Sequence, residues 1–239
     1  MRPIDKGSWP TWKKPATKKL SFDNWKRAIP HLKARTGWYC HLCEMRVNNH
    51  LSIEHIKSRD DYPILAGNWT NFVLSCGCCN SRKRARKLDS PYRQKYVWPH
   101  IHNTLMAFDV PLTGPVPATV QPNGSASAAV ATRAQALIDL YALDAVSTKD
   151  GAADIRHIER LEAVQMAATR RVEFANGKAT PEAIVDMAKK SGFFSVWFKV
   201  FSNVPQVQTL LVQEPAFHLN AAWFDQNLVP VARLPAEGV

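Results

Sequence analysis

YCHLC (residues 39–43), LSIEHI (51–56), NFVLSC (71–76) and GCCNSRKRARKL (77–88) decide how this chain is read. Cys40 and Cys43 form one C-x-x-C knuckle and Cys76 and Cys79 a second, with 32 residues between them. All five cysteines, Cys78 included, fall within residues 40–79, and none occurs in the 160 that follow. A disulfide framework would spread its cysteines along the chain, whereas two tight pairs point to a metal. Four thiolates in two pairs can close a tetrahedral structural zinc site. Such a site ties two distant turns together, and its binding energy becomes folding energy. Cys78 could stand in for Cys76 or Cys79, but only residues 76 and 79 keep the two-residue gap; inert buried thiols are the plainer alternative. With four thiolates the zinc has no open position for water, so any chemistry lies beside it.

Outward from the knuckles, residues 51–56 alternate and read as a short strand, and 71–76 as a second. A turn and a basic helix follow from residue 77. Upstream, SFDNWKRAIPHLKARTG (21–37) reads as a helix capped by Ser21 and ended by Gly37. Pro30 inside it implies a kink or a break into two pieces. The order is therefore helix, knuckle, strand, loop, strand, knuckle, helix.

In this order YCHLC, IEHI, NFVLSC and CGCCNSRK resemble the zinc-containing branch of the HNH nucleases, over about residues 38–87. That pattern runs C-x-x-C, an acidic residue before His, an Asn before an apolar strand, then C-x-x-C-N-x-x-K. The resemblance implies a ββα-metal finger, a hairpin and helix pinched around one metal. It also implies that Asn71 fixes the loop carrying the base through backbone hydrogen bonds. Two departures stand out. Asn80 occupies the last motif position in place of His, and Glu54 precedes His55 where Asp is commoner.

The chemistry accounts for these residue types. Phosphodiester hydrolysis needs a base for the attacking water and charge relief on the leaving oxygen. A neutral His accepts a proton near pH 7, the role given to His55. A hard cation such as Mg²⁺ or Mn²⁺ takes oxygen ligands, here the Glu54 carboxylate and the Asn80 amide oxygen. Adjacent strand residues point to opposite faces. Glu54 and His55 can therefore serve one site only if the strand bends or ends there.

The net charge of +11 is one-sided. Residues 1–100 hold 20 Lys and Arg against 7 Asp and Glu, a net +13; residues 101–239 hold 11 against 13, a net −2. A basic field of this kind attracts polyanions such as nucleic acid, though a merely basic surface gives the same count. Arg82, Lys83, Arg84, Arg86 and Lys87, next to Asn80, are the expected phosphate contacts. Residues 1–20, with Trp9, Trp12, Lys13, Lys14, Lys18 and Lys19, read as an extended basic arm. His50, His100 and His102 lie near the motif and read as surface or structural residues, with no role fixed for them or for Cys78.

Residues 111–130, rich in Pro, Gly, Ser and Ala, read as a linker or surface loop. Beyond them, helical spacing marks 132–144, 154–175 and 180–190, the last capped by Thr180 with Pro181 in its first turn. Residues 193–212 look like one buried helix. No metal-ligand cluster occurs after residue 130. YVWPHIHNTLMAF (96–108) resembles a segment that follows the HNH core in a set of bacterial proteins. YALD (141–144) and AWFDQNLVPVARLP (222–235) are similar to the HNH component of anti-phage systems such as Septu, which implies an ATPase partner encoded alongside.

The expected fold class is α+β: a ββα-metal HNH core over 21–110 with a four-cysteine zinc staple, flanked by a mostly helical region over 131–239 that docks a partner or completes the core. The expected activity is that of a phosphodiester hydrolase acting on DNA in antiviral defence. The alternatives are a zinc-finger nucleic-acid binder without chemistry and an HNH nuclease of a restriction or mobile-element system. No run of eighteen apolar residues predicts a membrane span. The opening MRPIDKGSWP lacks the apolar stretch of a secretory leader, so the expected location is cytoplasmic.

Overall fold

The computed structural model describes residues 1–12, 15, 17–83, 92–146 and 154–233. Its first helical segment starts at Asn24 rather than Ser21. The Asn24 side chain accepts from the Lys26 amide, and a 3-10 turn, Trp25–Ala28, leads into helix α1, Ile29–Thr36. Pro30 sets this boundary. Without an amide hydrogen it is tolerated only in the first turn of α1, so the segment breaks into two pieces ahead of it. Gly37 ends α1 at φ 78°. A Cβ there would lie 2.5 Å from the Ala216 carbonyl oxygen, so only glycine fits.

Strand β1, Ser52–His55, pairs antiparallel with β2, Phe72–Ser75, with Ile53 opposite Leu74 and His55 opposite Phe72. Side chains alternate between the faces of this hairpin. Ile53, Phe72 and Leu74 join a small cluster with Phe22, Leu32 and Trp69, while Val73 joins the main core. Both faces are covered, which is why every residue of β2 is buried. Helix α2, Gly77–Arg82, follows directly, capped by the Cys76 sulfur, which accepts from the Cys79 amide at 3.4 Å.

The rest of the chain is helix α3 (Tyr92–Lys95), a short antiparallel pair of β3 (Phe108–Asp109) and β4 (Gln121–Pro122), then α4 (Ala128–Tyr141), α5 (Arg156–Ala175), α6 (Pro181–Ser191), α7 (Phe194–Val200) and α8 (Pro205–Gln213). Thr180 caps α6 and Pro181 opens it, as the spacing predicts. Residues 193–212 form two helices rather than one. Helix α7 ends at Val200 with Phe201 as its cap, and Pro205, suited to a first turn, opens α8. Helices with two small antiparallel pairs make this an α+β protein. No helix among the described residues is long and apolar enough to cross a membrane.

One buried cluster draws on both halves of the chain. It holds Val73 and Trp98 together with Leu137, Ala163, Trp197 and Phe217. Residues 111–130 contribute Ala118 and Val120 to it, β4 pairs with β3, and Ser127 caps α4, so this stretch is packed against the protein. The first six residues are packed too, in contrast to the projecting arm that their composition suggests. Met1, Arg2, Ile4 and Lys6 are buried. The Arg2 guanidinium donates to the carbonyls of Thr36, at 2.8 Å, and Phe217. Lys6 Nζ donates to the carbonyls of Thr70 at 3.0 Å and Phe72 at 2.8 Å. These cations satisfy backbone carbonyls that burial would otherwise leave bare. Trp12 and Lys18 are exposed, whereas Lys13 and Lys14 lie outside the described residues.

Candidate metal centre and active site

Cys40, Cys43, Cys76 and Cys79 are buried, unbridged, and have sulfurs within 4.8 Å of one another. The Cys43 and Cys76 sulfurs are 3.7 Å apart. A tetrahedron with metal–sulfur bonds of about 2.3 Å has edges of about 3.8 Å, so the four donors fit a metal ion. Local backbone builds both knuckles. The first closes through the Cys40 amide on the Met45 carbonyl, 2.9 Å, and the Glu44 amide on the Cys40 carbonyl, 3.0 Å, with Glu44 at φ 67°. The second is the first turn of α2. Cys78, on the same turn, is partly exposed and stands outside the four-sulfur group. The first knuckle seats on the helical half at Gly192, where a Cβ would come within 2.8 Å of the Glu44 carbonyl oxygen and the Arg46 amide.

Strand β1 and the loop that follows it meet α2 and the residues around the start of α1 at a cavity of about 710 Å³. Glu54, His55 and Asn80 all line it, with Trp25, Arg59 and Lys83. Glu54 and His55 sit on opposite faces of β1, but β1 ends at His55, so both reach one cavity. Phe72 and Trp25 hold the His55 ring edge-to-face at centroid distances of 5.3 and 5.5 Å. Its Nε2 lies 3.0 Å from the Ala66 carbonyl oxygen. A carbonyl only accepts, so in the neutral ring Nε2 carries the hydrogen and Nδ1 the lone pair. Burial holds His55 below the usual histidine range, reinforced by Lys83 and Arg59 and opposed by the Ala66 hydrogen bond.

Asn71 stands behind this histidine. Its Oδ1 accepts from the Lys57 amide at 2.7 Å, and its Nδ2 donates to the carbonyls of Lys57, 2.9 Å, and Leu65, 3.2 Å. These bonds tie the two ends of the 57–65 loop, from which the chain runs on to Ala66. Asn80 is exposed at the cavity on α2.

Lys83 departs from the expected phosphate-contacting set. Its ammonium donates to Glu54 Oε1 and to the His55 carbonyl, and its side chain is 6% exposed against 7% for Glu54. Tyr141 of α4 donates to the same carboxylate oxygen at 3.4 Å. Burial pushes Glu54 up and Lys83 down, and the pairing opposes both shifts. Arg82 is also engaged, 2.9 Å from Asp154, though nearly half exposed. Arg84, Arg86 and Lys87 lie outside the described residues. Oxygen donors on Glu54 and Asn80 suit a hard cation chemically, with Lys83 already sharing one Glu54 oxygen.

His50 is exposed, and neither it nor His100 nor His102 lines the cavity. His102 instead takes Arg133 Nη2 on its Nε2 at 2.9 Å. Residue spacing gave no hint of Trp25, Tyr141 or Arg156, which lie far from the motif in the chain; Arg156 Nη1 reaches Cys79 Sγ at 3.4 Å. Compared with family models and with curated proteins, the chain matches none.

Proposed function

We propose that this chain is a metal-dependent DNA endonuclease that hydrolyses phosphodiester bonds with His55 as general base. One observation carries the reading. The His55 ring is locked by the Ala66 carbonyl with Nδ1 as its basic nitrogen, beside a cavity shared with Glu54 and Asn80. Nδ1 takes the proton of the attacking water, and its lowered basicity keeps it neutral and competent near pH 7. Asn71 holds the loop that supplies the Ala66 carbonyl, so the imidazole is aimed before substrate arrives. Glu54 and Asn80 are the residues to hold Mg²⁺ or Mn²⁺, which supplies charge relief at the leaving oxygen. Zinc on the four cysteines has a structural role, because a closed thiolate set has no open position. The net +13 of the first hundred residues draws the polyanion in. An anti-phage setting with an ATPase partner rests on the likeness of residues 141–144 and 222–235 alone.

Plasmid cleavage by the purified chain with Mg²⁺, Mn²⁺ or EDTA, beside His55→Ala, tests the proposal. Divalent-dependent cutting that vanishes in the variant, with melting and zinc content unchanged, is the expected result. Since the base must be neutral and its folded pKa is lowered, cutting should hold its rate down through pH 6.5, the ordinary histidine value, and fall only below it. Cutting by His55→Ala at the wild-type rate removes the assigned base. DNA binding without any cutting, with or without an ATPase encoded alongside, favours the non-catalytic zinc-finger reading.

A further inference from the structure

A metal on four thiolates does not balance its own charge. A divalent ion with four thiolate sulfurs carries a net −2, and here it would sit among fully buried side chains. Burying such a charge without a partner is costly. The partner stands on the first turns of α5. Arg156 and Arg160 are both 2% exposed. They sit four residues apart, on one face of the helix. Two like charges at that spacing destabilise a helix unless an anion faces them. Cys43 and Cys79 both lie within electrostatic reach of each guanidinium, and Arg156 Nη1 donates to Cys79 Sγ at 3.4 Å.

Among the described residues, the other anions that act on these arginines are already engaged. Asp154 takes Arg156 Nε and Nη2 at 2.8 and 2.7 Å, and it also takes Arg82 at 2.9 Å. Glu44, which acts on Arg160 electrostatically, pairs with the Met1 amino group at 3.1 Å and accepts from the Ser195 amide at 2.9 Å and its hydroxyl at 2.6 Å. Arg160 donates Nη1 to the Ala118 carbonyl at 2.8 Å, and its buried Nη2 has no hydrogen-bond partner among the described residues. A hydrogen bond to one carbonyl satisfies a donor but leaves the charge unbalanced.

We propose that Arg156 and Arg160 belong to the metal centre: they neutralise the metal–tetrathiolate unit, so that metal loading and the docking of α5 are one coupled equilibrium. This rests on the four cysteines holding a divalent ion, not on the nuclease activity. Arg156 is further anchored by the carbonyls of Tyr141, 3.0 Å, and Ala142, 2.7 Å. The coupling therefore reaches the end of α4.

The test uses the full chain and Co²⁺ alone, followed by its sulfur-to-cobalt charge-transfer absorbance under chelator competition. Arg156→Gln and Arg160→Gln should each weaken cobalt binding by about 10- to 100-fold, the usual cost of losing a group that supports a metal ligand. Arg156→Lys, which keeps the charge but not the forked geometry, should recover most of that loss. Wild-type affinity in both glutamine variants, or a lysine variant as weak as glutamine, overturns the proposal. If the glutamine variants do not fold, amide exchange in the wild-type chain decides. Protection of α5 should rise when cobalt is added, and equal protection without metal overturns the coupling. A wild-type chain that takes up no cobalt removes the metal centre itself, a different failure.

Discussion

Around the β1–β2 hairpin, the buried interior holds many polar groups, each with specific partners. Lys83 sits on Glu54, Asn71 on Lys57 and Leu65, and Thr36 Oγ1 lies 2.7 Å from His41 Nε2. Beyond residue 130 the interior is mostly apolar. Trp197 and Phe201 stack at 6.4 Å with planes 5° apart, beside Ala163, Ile184 and Leu211. The first region is specified by donors and acceptors, the second by volume. A region held by polar partners fails abruptly when one is removed, because the other is left buried and bare. A region held by packing yields by amounts that follow the cavity left behind.

The largest break in this comparison should come at the knuckles. Cys79→Ser is expected to lower metal content and melting temperature together, since structural zinc is worth about 10–16 kcal/mol in small zinc domains. A stable, metal-free variant would show that packing alone holds the hairpin. Lys83→Ala should come next, at about 3–5 kcal/mol, because it leaves the Glu54 carboxylate buried without its cation. Urea unfolding measures that cost. If Lys83→Ala instead leaves stability unchanged and lowers DNA affinity, the surface reading of Lys83 is restored.

Trp197→Ala should cost a similar ~3–5 kcal/mol from the cavity it opens, yet leave metal content intact. Loss of metal in that variant would mean the two regions do not differ as argued.

The smallest effect concerns acid. Burial and Arg133 push His102 down to about 4 from an ordinary 6.5. The unfolded chain therefore takes up this proton first as pH falls. The stability His102 contributes is complete above pH 6.5 and is lost as pH drops toward 4. Urea midpoints for wild type and His102→Gln should converge across that window, and curves that stay parallel contradict the assignment.

The sequence alone determined what is local. Two C-x-x-C spacings placed four thiols in turns, Thr180 and Pro181 set the start of α6, and the apolar run 71–76 made a strand. Capping, proline chemistry and period-two patterning act over a few residues, so they can be read without the fold. Pro30 marked a break that the structure shows, whereas residues 193–212, read as one helix, divide into two, with Pro205 opening the second.

Only the tertiary structure decided which charges stay at the surface. The sequence put Lys83 among the phosphate contacts and Arg2 and Lys6 in a basic arm, and the fold buried all three against carboxylate or carbonyl oxygens. It likewise brought Tyr141 to Glu54 and Arg156 to Cys79, across 87 and 77 residues of chain. A cation's partner is set by packing in three dimensions rather than by its neighbours in sequence, and spacing carries no trace of it.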